Sequence, residues 1–302
     1  MSRHPILITG GSGQLASALV DAAGDRALTC VGRPSFDFDR PQEMMALVRG
    51  IAPALIVNAA AYTAVDRAES DADAARRANR DGPAALAEYC ARMGIPLIHV
   101  STDYVFDGLK GAPYIESDAT NPTTVYGATK LAGEQAVLEI APQAVVLRTS
   151  WVYAPLGKNF VLTMLKLAEQ RDVLRVVADQ IGCPTAAADL AQAILAIADR
   201  IDAAGWNDDF RGVFHAAGTG SVTWHGFACA AFENAARHGR RPPRVDAITT
   251  SGYPTPARRP PDSRLDCGKL GRVFGLRLSP WQNSLARTVD EVFRRRHAFG
   301  PS

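Results

Sequence analysis

The first half of this 302-residue chain alternates short apolar runs with segments of helical periodicity, and this alternation limits the fold more than any other feature. Strands that are apolar along their whole length and separated by helices are typical of a parallel sheet covered on both faces. We therefore predict an α/β fold with a Rossmann-type, doubly wound parallel sheet. The predicted strands are residues 6–9, 28–31, 54–58, 97–101 and 144–148, and the predicted helices are residues 14–23, 44–51, 73–93 and 128–139.

The pattern becomes less regular after Trp151. Helical spacing continues at residues 160–170 and 187–201, a strand is expected at 173–177, and the proline- and arginine-rich segment 240–261 is expected to be loop or extended chain. We predict that residues 1–153 form the Rossmann domain. Residues 154–302 would form mainly a smaller C-terminal substrate-binding lobe, with some segments returning to the first domain.

Composition and charge are those of an ordinary soluble protein, with 47% hydrophobic residues and a formal charge of +2. This near balance of charge gives no reason to expect a nucleic-acid or membrane partner. Five scattered cysteines without a CxxC pair argue against a disulfide framework and a zinc site. The first apolar run is too short for the core of a signal peptide, so we expect a cytoplasmic protein.

A glycine-rich turn lies between the first predicted strand and the first predicted helix. It contains Gly10, Gly11 and Gly13, with Ala16 at the third small position. Glycine allows a tight turn and a close approach of the backbone to a pyrophosphate, and the following helix offers free N–H groups. A strand-to-helix turn without a ligand would use glycine too. The position of the turn favours dinucleotide binding, which would make residues 1–153 an NAD(P)-binding domain.

The end of the second predicted strand bears on the choice of cofactor. An acidic residue there would bind the ribose hydroxyls of NADH, whereas an arginine favours the 2′-phosphate of NADPH. The sequence has Arg33 at this point. We expect NADPH, with NADH possible, and the alternative that Arg33 is simply an exposed loop residue stays open.

Tyr126 and Lys130 lie four residues apart at the start of a predicted helix and so share one of its faces. A neighbouring cation lowers the pKa of a phenol, which would suit Tyr126 to proton transfer. Thr102 ends a predicted strand at the carboxyl edge of the sheet, where such folds bind ligands. We therefore predict catalytic roles for Thr102, Tyr126 and Lys130. A surface pair and a strand-end cap are the bland alternatives.

These features in this order resemble an extended short-chain dehydrogenase/reductase, and longer stretches resemble the dTDP-4-dehydrorhamnose reductase family. The resemblance implies reduction of the C4 ketone of dTDP-4-dehydro-β-L-rhamnose, the last step of dTDP-L-rhamnose synthesis. Tyr126 would protonate the developing alkoxide and Thr102 would tune that transfer. The stretches that carry the resemblance are residues 58–66, 101–108, 125–134, 148–153, 179–185 and 259–265.

The resemblance also implies which residues bind the ligands. Thr102, Asp103 and Trp151 would contact the sugar nucleotide, with filling of core space as the alternative for Trp151. The residues expected to bind the cofactor are Gly10, Gly13, Gln14, Leu15, Arg33, Asp37, Phe38, Ala61, Tyr62, Thr63, Tyr126 and Lys130.

Two departures from the family pattern concern the first helix. Ala16 replaces a glycine of many relatives, which we expect to be tolerated. Ala18 stands where some members have a glutamate that binds magnesium between subunits, so we expect no magnesium and leave open whether the chain is a monomer or a homodimer.

Two other functions remain open at this point. One is another sugar-nucleotide enzyme of this fold, an epimerase or a dehydratase, although Thr102 is followed by Asp103-Tyr104 rather than the Asp-Glu pair that a dehydratase uses. The other is a non-catalytic regulatory protein, similar to the regulatory subunit of methionine adenosyltransferase.

Overall fold

The computed structural model describes residues 4–299. Within this range the strands are β1 (Ile6–Thr9), β2 (Leu28–Val31), β3 (Leu55–Asn58), β4 (Leu97–Thr102), β5 (Ala144–Thr149), β6 (Val152–Tyr153), β7 (Val173–Val177), β8 (Ile181–Gly182), β9 (Thr185–Ala186), β10 (Gly212–His215), β11 (Val222–Thr223) and β12 (Arg244–Ile248). The α-helices are α1 (Gln14–Asp21), α2 (Pro41–Ile51), α3 (Val65–Ala68), α4 (Ala72–Arg76), α5 (Gly82–Met93), α6 (Val125–Ile140), α7 (Phe160–Ala168), α8 (Ala187–Ala204), α9 (Trp224–Ala236), α10 (Gly268–Phe274) and α11 (Trp281–Phe299).

Six parallel strands form the central sheet in the order β10-β5-β4-β3-β1-β2, which confirms the predicted α/β class and doubly wound sheet. The central strands β3 and β5 are buried at every position, as their apolar sequences require. One core lies on the face covered by α1 and α8, and a second lies on the face covered by α2, α5 and α6.

The strand order of the central sheet reverses at β1: β2 lies on one side of it, and β3, β4 and β5 follow on the other. This strand pairs with β2 on one side and with β3 on the other, so the connections that follow β1 and β3 diverge at the carboxyl edge. Ligands of open α/β sheets bind in the crevice that such a divergence creates. The glycine-rich turn follows β1 and therefore lies in this crevice.

The helix predicted at residues 73–93 is interrupted. A π-helical turn, Arg77–Asp81, lies between α4 and α5 and places Asn79 in the interior. The side chain of Asn79 donates to the carbonyl of Tyr62 and to the hydroxyl of Thr129. The main-chain carbonyl oxygen of Asn79 lies so close to Gly133 that a Cβ on Gly133 would be 2.0 Å from it. Periodicity missed this turn because long-range contacts with α6 and with the Tyr62 loop stabilise it.

The rest of the chain adds a third core, beside the two that cover the central sheet. Helices α7, α9 and α11 pack around β7 and β12, which pair in parallel. Segment 240–261, expected to be loop or extended chain, thus contains a strand. Strand β10 returns to the central sheet, and α8 packs against α1. No helix between residues 4 and 299 combines the length and apolar character that crossing a bilayer requires.

Candidate active site

The glycine-rich turn is shaped by close backbone contacts. Gly10 and Gly11 have positive φ angles of 109° and 54°, which side chains disfavour. The N–H of Gly11 donates to the carbonyl of Val31 at 2.9 Å, and a Cβ on Gly32 would lie 2.4 Å from the Cα of Gly11. Helix α1 begins after Gly13 without a side-chain cap, so its first N–H groups are free for a ligand. This turn fits a pyrophosphate at a helix N-terminus.

Gln14 and Leu15 point in different directions from the first turn of α1. The amide oxygen of Gln14 accepts a hydrogen bond of 2.9 Å from Asn159, whereas Leu15 packs against the core under the sheet. Asn159 caps α7 by accepting from the N–H of Leu162. Gln14 therefore links the glycine-rich turn to the C-terminal half of the chain.

Charged side chains cluster at the end of β2. The Nε of Arg33 lies 3.1 Å from the carboxylate of Asp37, and its Nη2 lies 3.4 Å from Asp39. Arg77, from the π-helical turn, donates to the same Asp39 at 2.6 Å. Arg33 is exposed, as the alternative of a simple loop residue would have it, but it forms ion pairs with two carboxylates. Asp39 and Arg77 were not singled out from the sequence.

Phe38 packs against Gly82, the first residue of α5, directly after the π-helical turn. A Cβ on Gly82 would lie 2.2 Å from the Phe38 ring, so only glycine leaves room for it. The ring also makes an edge-to-face contact with Phe36, with centroids 5.3 Å apart. The loop that carries Asp37 and Asp39 is thereby positioned against the helix that carries Arg77.

The loop after β3 contains Ala61, Tyr62 and Thr63. The N–H of Tyr62 donates to Asn79 at 2.8 Å, and the Tyr62 phenol donates to Asp71 at 3.2 Å. The buried Asn79 side chain thus fixes the main chain of the loop at Tyr62, and Asp71 fixes the Tyr62 side chain. The loop follows β3 at the divergence of the chain, beside the glycine-rich turn.

Thr102 and Tyr126 are brought together at the carboxyl edge of the sheet. Tyr126 opens α6, whose first turn is capped by the hydroxyl of Thr124, and Thr102 ends β4. The Thr102 hydroxyl lies near the Tyr126 phenol and affects its pKa. Tyr104 packs edge-on against Tyr126, with centroids 5.5 Å apart. Both side chains therefore lie at the carboxyl edge of the sheet, and their catalytic roles stay a prediction.

Contrary to the expectation from their spacing, Lys130 is not among the groups that lower the pKa of Tyr126. Burial raises the pKa of Tyr126 to about 12, and the neighbouring Thr102 hydroxyl opposes this rise. The ammonium of Lys130 instead donates to the carbonyl of Val100 at 2.7 Å. Burial lowers the pKa of Lys130 to about 8, and the charge of Glu134 one turn further along α6 opposes this. The phenol is thus protonated at neutral pH and can give up a proton.

Asp103 is a buried carboxyl group beside this pair. Its Oδ1 accepts from the Thr102 hydroxyl at 3.0 Å, and its Oδ2 is buried without a partner. Burial raises the pKa of Asp103 to about 7, although the nearby hydroxyl groups of Ser263 and Thr102 oppose the shift. A second titratable group thus lies within one hydrogen bond of Thr102. Ser263, from the stretch 259–265, was not predicted as part of the site.

Trp151 lies in a strained backbone position two residues after the end of β5. Its φ of 48° is left-handed, which is uncommon for an aromatic residue. Its ring stacks on Trp224 with the planes 5° apart and covers Gly182, where a Cβ would lie 2.5 Å from the indole. Strain at the carboxyl edge of the sheet favours a role in the site over simple filling of space.

In the part of the chain that the structure describes, no group of three or more His, Cys, Asp or Glu side chains could hold a metal ion.

Comparisons with known proteins identify the family to which this chain belongs. A family model described as RmlD substrate binding domain matches residues 3–294. The dTDP-4-dehydrorhamnose reductase of Sinorhizobium fredii (strain NBRC 101917 / NGR234) is 48% identical over 285 residues, which cover 94% of this chain and 96% of that protein.

Two solved structures are similar over nearly the whole chain. The dTDP-4-dehydrorhamnose reductase of Clostridium acetobutylicum ATCC 824 has a TM-score of 0.88 and 34% identity, covering 96% of this chain and 99% of that one. The same reductase of Bacillus anthracis str. Ames, in complex with NADP, has a TM-score of 0.87 and 33% identity at the same coverage. The family resemblance is confirmed: this chain belongs to the RmlD substrate binding domain family. The relatives described above, to which it is similar, are dTDP-4-dehydrorhamnose reductases.

Proposed function

We propose that this protein reduces the C4 ketone of dTDP-4-dehydro-β-L-rhamnose to dTDP-L-rhamnose, with NADPH preferred and NADH possible. The observation that carries the proposal is that the Thr102 hydroxyl and the Tyr126 phenol lie together at the carboxyl edge of the sheet, in the crevice that the glycine-rich turn also borders. The 48% identical reductase of Sinorhizobium fredii supports the choice of substrate. The NADP bound to the reductase of Bacillus anthracis supports the choice of cofactor.

The proposed proton transfer follows from the site. When bound, the reduced nicotinamide supplies the hydride that adds to C4 of the sugar. Tyr126, which is protonated at neutral pH, donates its proton to the ketone oxygen as the hydride adds, so that the carbonyl becomes an alcohol. Thr102 orients that proton, because its hydroxyl lies beside the phenol. Lys130 retains N–H donors beyond the one bonded to Val100, and these would hold the nicotinamide ribose.

The remaining residues bind and position the ligands. Thr102, Asp103 and Trp151 are proposed to contact the sugar nucleotide. In this arrangement residues 1–153 bind the cofactor, and residues 154–302 mainly cover the substrate. The proposed cofactor contacts are Gly10, Gly13, Gln14, Leu15, Arg33, Asp37, Phe38, Ala61, Tyr62, Thr63, Tyr126 and Lys130.

The test supplies the 4-keto-6-deoxysugar nucleotide with NADPH and follows both the loss of absorbance at the nicotinamide band and the identity of the sugar. A reductase consumes one cofactor for each alcohol formed. An isomerised sugar without loss of NADPH would indicate an epimerase, and tight cofactor binding with neither change would indicate a regulatory protein. Either of those results would refute the proposal.

A further inference from the structure

Two arginines from separate segments share one carboxylate beside the end of β2. The Oδ1 of Asp39 accepts from the Nε of Arg77 at 2.6 Å, and its Oδ2 lies 3.4 Å from the Nη2 of Arg33. Arg33 belongs to the loop after β2, whereas Arg77 belongs to the π-helical turn. We call Arg33, Asp39 and Arg77 the arginine clasp. An anionic group between two guanidinium groups marks a place where another anion can bind.

The pairs in the arginine clasp are weak enough to exchange. The side chains are 68% exposed for Arg33, 50% for Arg77 and 45% for Asp39. Exposed ion pairs are weak, because water and salt screen them. A phosphate dianion offers more charge and more acceptor oxygens than a carboxylate, and guanidinium groups bind it through two parallel bonds. Such a ligand would therefore compete with Asp39.

The arginine clasp lies where a dinucleotide places its adenosine ribose. That ribose lies at the end of the second strand of a Rossmann fold. Gly32, directly before Arg33, packs against Gly11 of the glycine-rich turn, so Arg33 is one residue from the proposed pyrophosphate site. The contact of Phe38 with Gly82 holds the two arginine-bearing segments at a fixed separation. The spacing of the two guanidinium groups is therefore built into the packing.

We propose that Arg77 is a second ligand of the cofactor's 2′-phosphate, together with Arg33, and that Asp39 occupies the position of that phosphate in the free protein. This inference rests on the proposed function and deepens it, because it assigns the preference for NADPH to two arginines on different segments. Asp39 sets the strength of the preference: its carboxylate must leave the arginines before the phosphate binds, and it repels the phosphate by charge. NADH, which has no 2′-phosphate, leaves the arginine clasp closed.

The test measures binding alone, by calorimetric titration of the full chain with 2′,5′-ADP and with 5′-AMP, which differ only by the 2′-phosphate. Arg77→Gln is expected to weaken 2′,5′-ADP about 10-fold and to leave 5′-AMP unchanged. Arg80→Gln is the matched control, because Arg80 lies in the same π-helical turn, is similarly exposed and pairs with Asp81. Asp39→Asn is expected to tighten 2′,5′-ADP several-fold.

Three results would overturn the inference. Arg77→Gln could weaken both nucleotides equally, or it could change them no more than Arg80→Gln does. Asp39→Asn could weaken 5′-AMP and NADH, which would make Asp39 a ligand of the ribose hydroxyls instead. If wild type binds NADPH but one of these results is found, the inference fails and the proposed function stands. If wild type binds neither NADPH nor NADH, both fail.

Discussion

The ammonium of Lys130 donates a hydrogen bond to the main-chain carbonyl of Val100, 2.7 Å away and thirty residues earlier in the chain. This bond ties the first turns of α6 to β4, the strand that ends at Thr102. Lys130 is one helical turn from Tyr126, yet its charge is directed to the strand. The lysine therefore fixes the position of the helix relative to Thr102, and its other N–H groups stay available for a ligand.

The pKa of Lys130, lowered by burial to about 8, predicts a pH dependence of cofactor binding. Below pH 8 the side chain is an ammonium, and above pH 8 it loses its proton and with it the charge-assisted bond to the ribose. We expect the Kd of NADPH to rise several-fold between pH 7 and pH 9.5 in wild type. Lys130→Met should bind more weakly at pH 7 and lack this rise. An equal rise in both proteins would assign the titration to another group.

Tyr126→Phe should reduce turnover by about 100-fold or more, because the variant lacks the proton donor. The Kd of NADPH should stay within about 2-fold of wild type, because the ring and its contact with Tyr104 are retained. Steady-state turnover and a binding titration measure the two effects. Wild-type turnover in the variant would remove Tyr126 from the mechanism.

Asp103 predicts a pH dependence of stability. Its pKa rises from 3.8 to about 7 on folding, so the folded protein binds this proton more tightly than the unfolded chain does. The resulting stabilisation is complete below about pH 4 and is lost as the pH rises through 7. Asp103→Asn has no charge to bury, so its melting temperature relative to wild type should be higher at pH 8 than at pH 5. A difference that is the same at both pH values would show that Asp103 does not titrate as described.

The buried ion pair of Glu134 and Arg148 predicts a large loss of stability when one partner is removed. The two side chains are 2% and 4% exposed, and the Oε2 of Glu134 lies 2.7 Å from the Nη2 of Arg148. The Ser101 hydroxyl also donates to Glu134. Glu134→Ala should lower the free energy of unfolding by about 3–5 kcal/mol, because it leaves a buried guanidinium unpaired. Asp199→Ala, which breaks the exposed pair with Arg26, should cost less than about 1 kcal/mol. Similar urea midpoints for both variants would contradict this account.

The sheet was predictable because its strands are defined by local composition. Every strand of the first half lies within a residue or so of its predicted position, since an apolar run flanked by helices admits few other folds. The pairing of Thr102 with Tyr126 followed from a motif and from the carboxyl edge of the sheet. The confirmed family assignment rested on longer stretches of sequence.

The parts that the sequence did not reveal depend on contacts between distant segments. The π-helical turn at Asn79 requires the space left by Gly133, fifty-four residues later. The stacking of Trp151 on Trp224 and the sharing of Asp39 by Arg33 and Arg77 also join residues with no common local pattern. The direction of the Lys130 ammonium was missed because its acceptor is a main-chain carbonyl, which no side-chain motif marks.

The central claim, that a sugar ketone is reduced beside Thr102 and Tyr126, is tested most directly with a cofactor carrying deuterium at the transferable position. The protein is given the 4-keto-6-deoxysugar nucleotide and this NADPH, and the sugar product is examined by NMR. The account predicts one deuterium at C4 of a 6-deoxysugar alcohol, and loss of most of this product with Tyr126→Phe. An unlabelled sugar, or deuterium at another carbon, would contradict it.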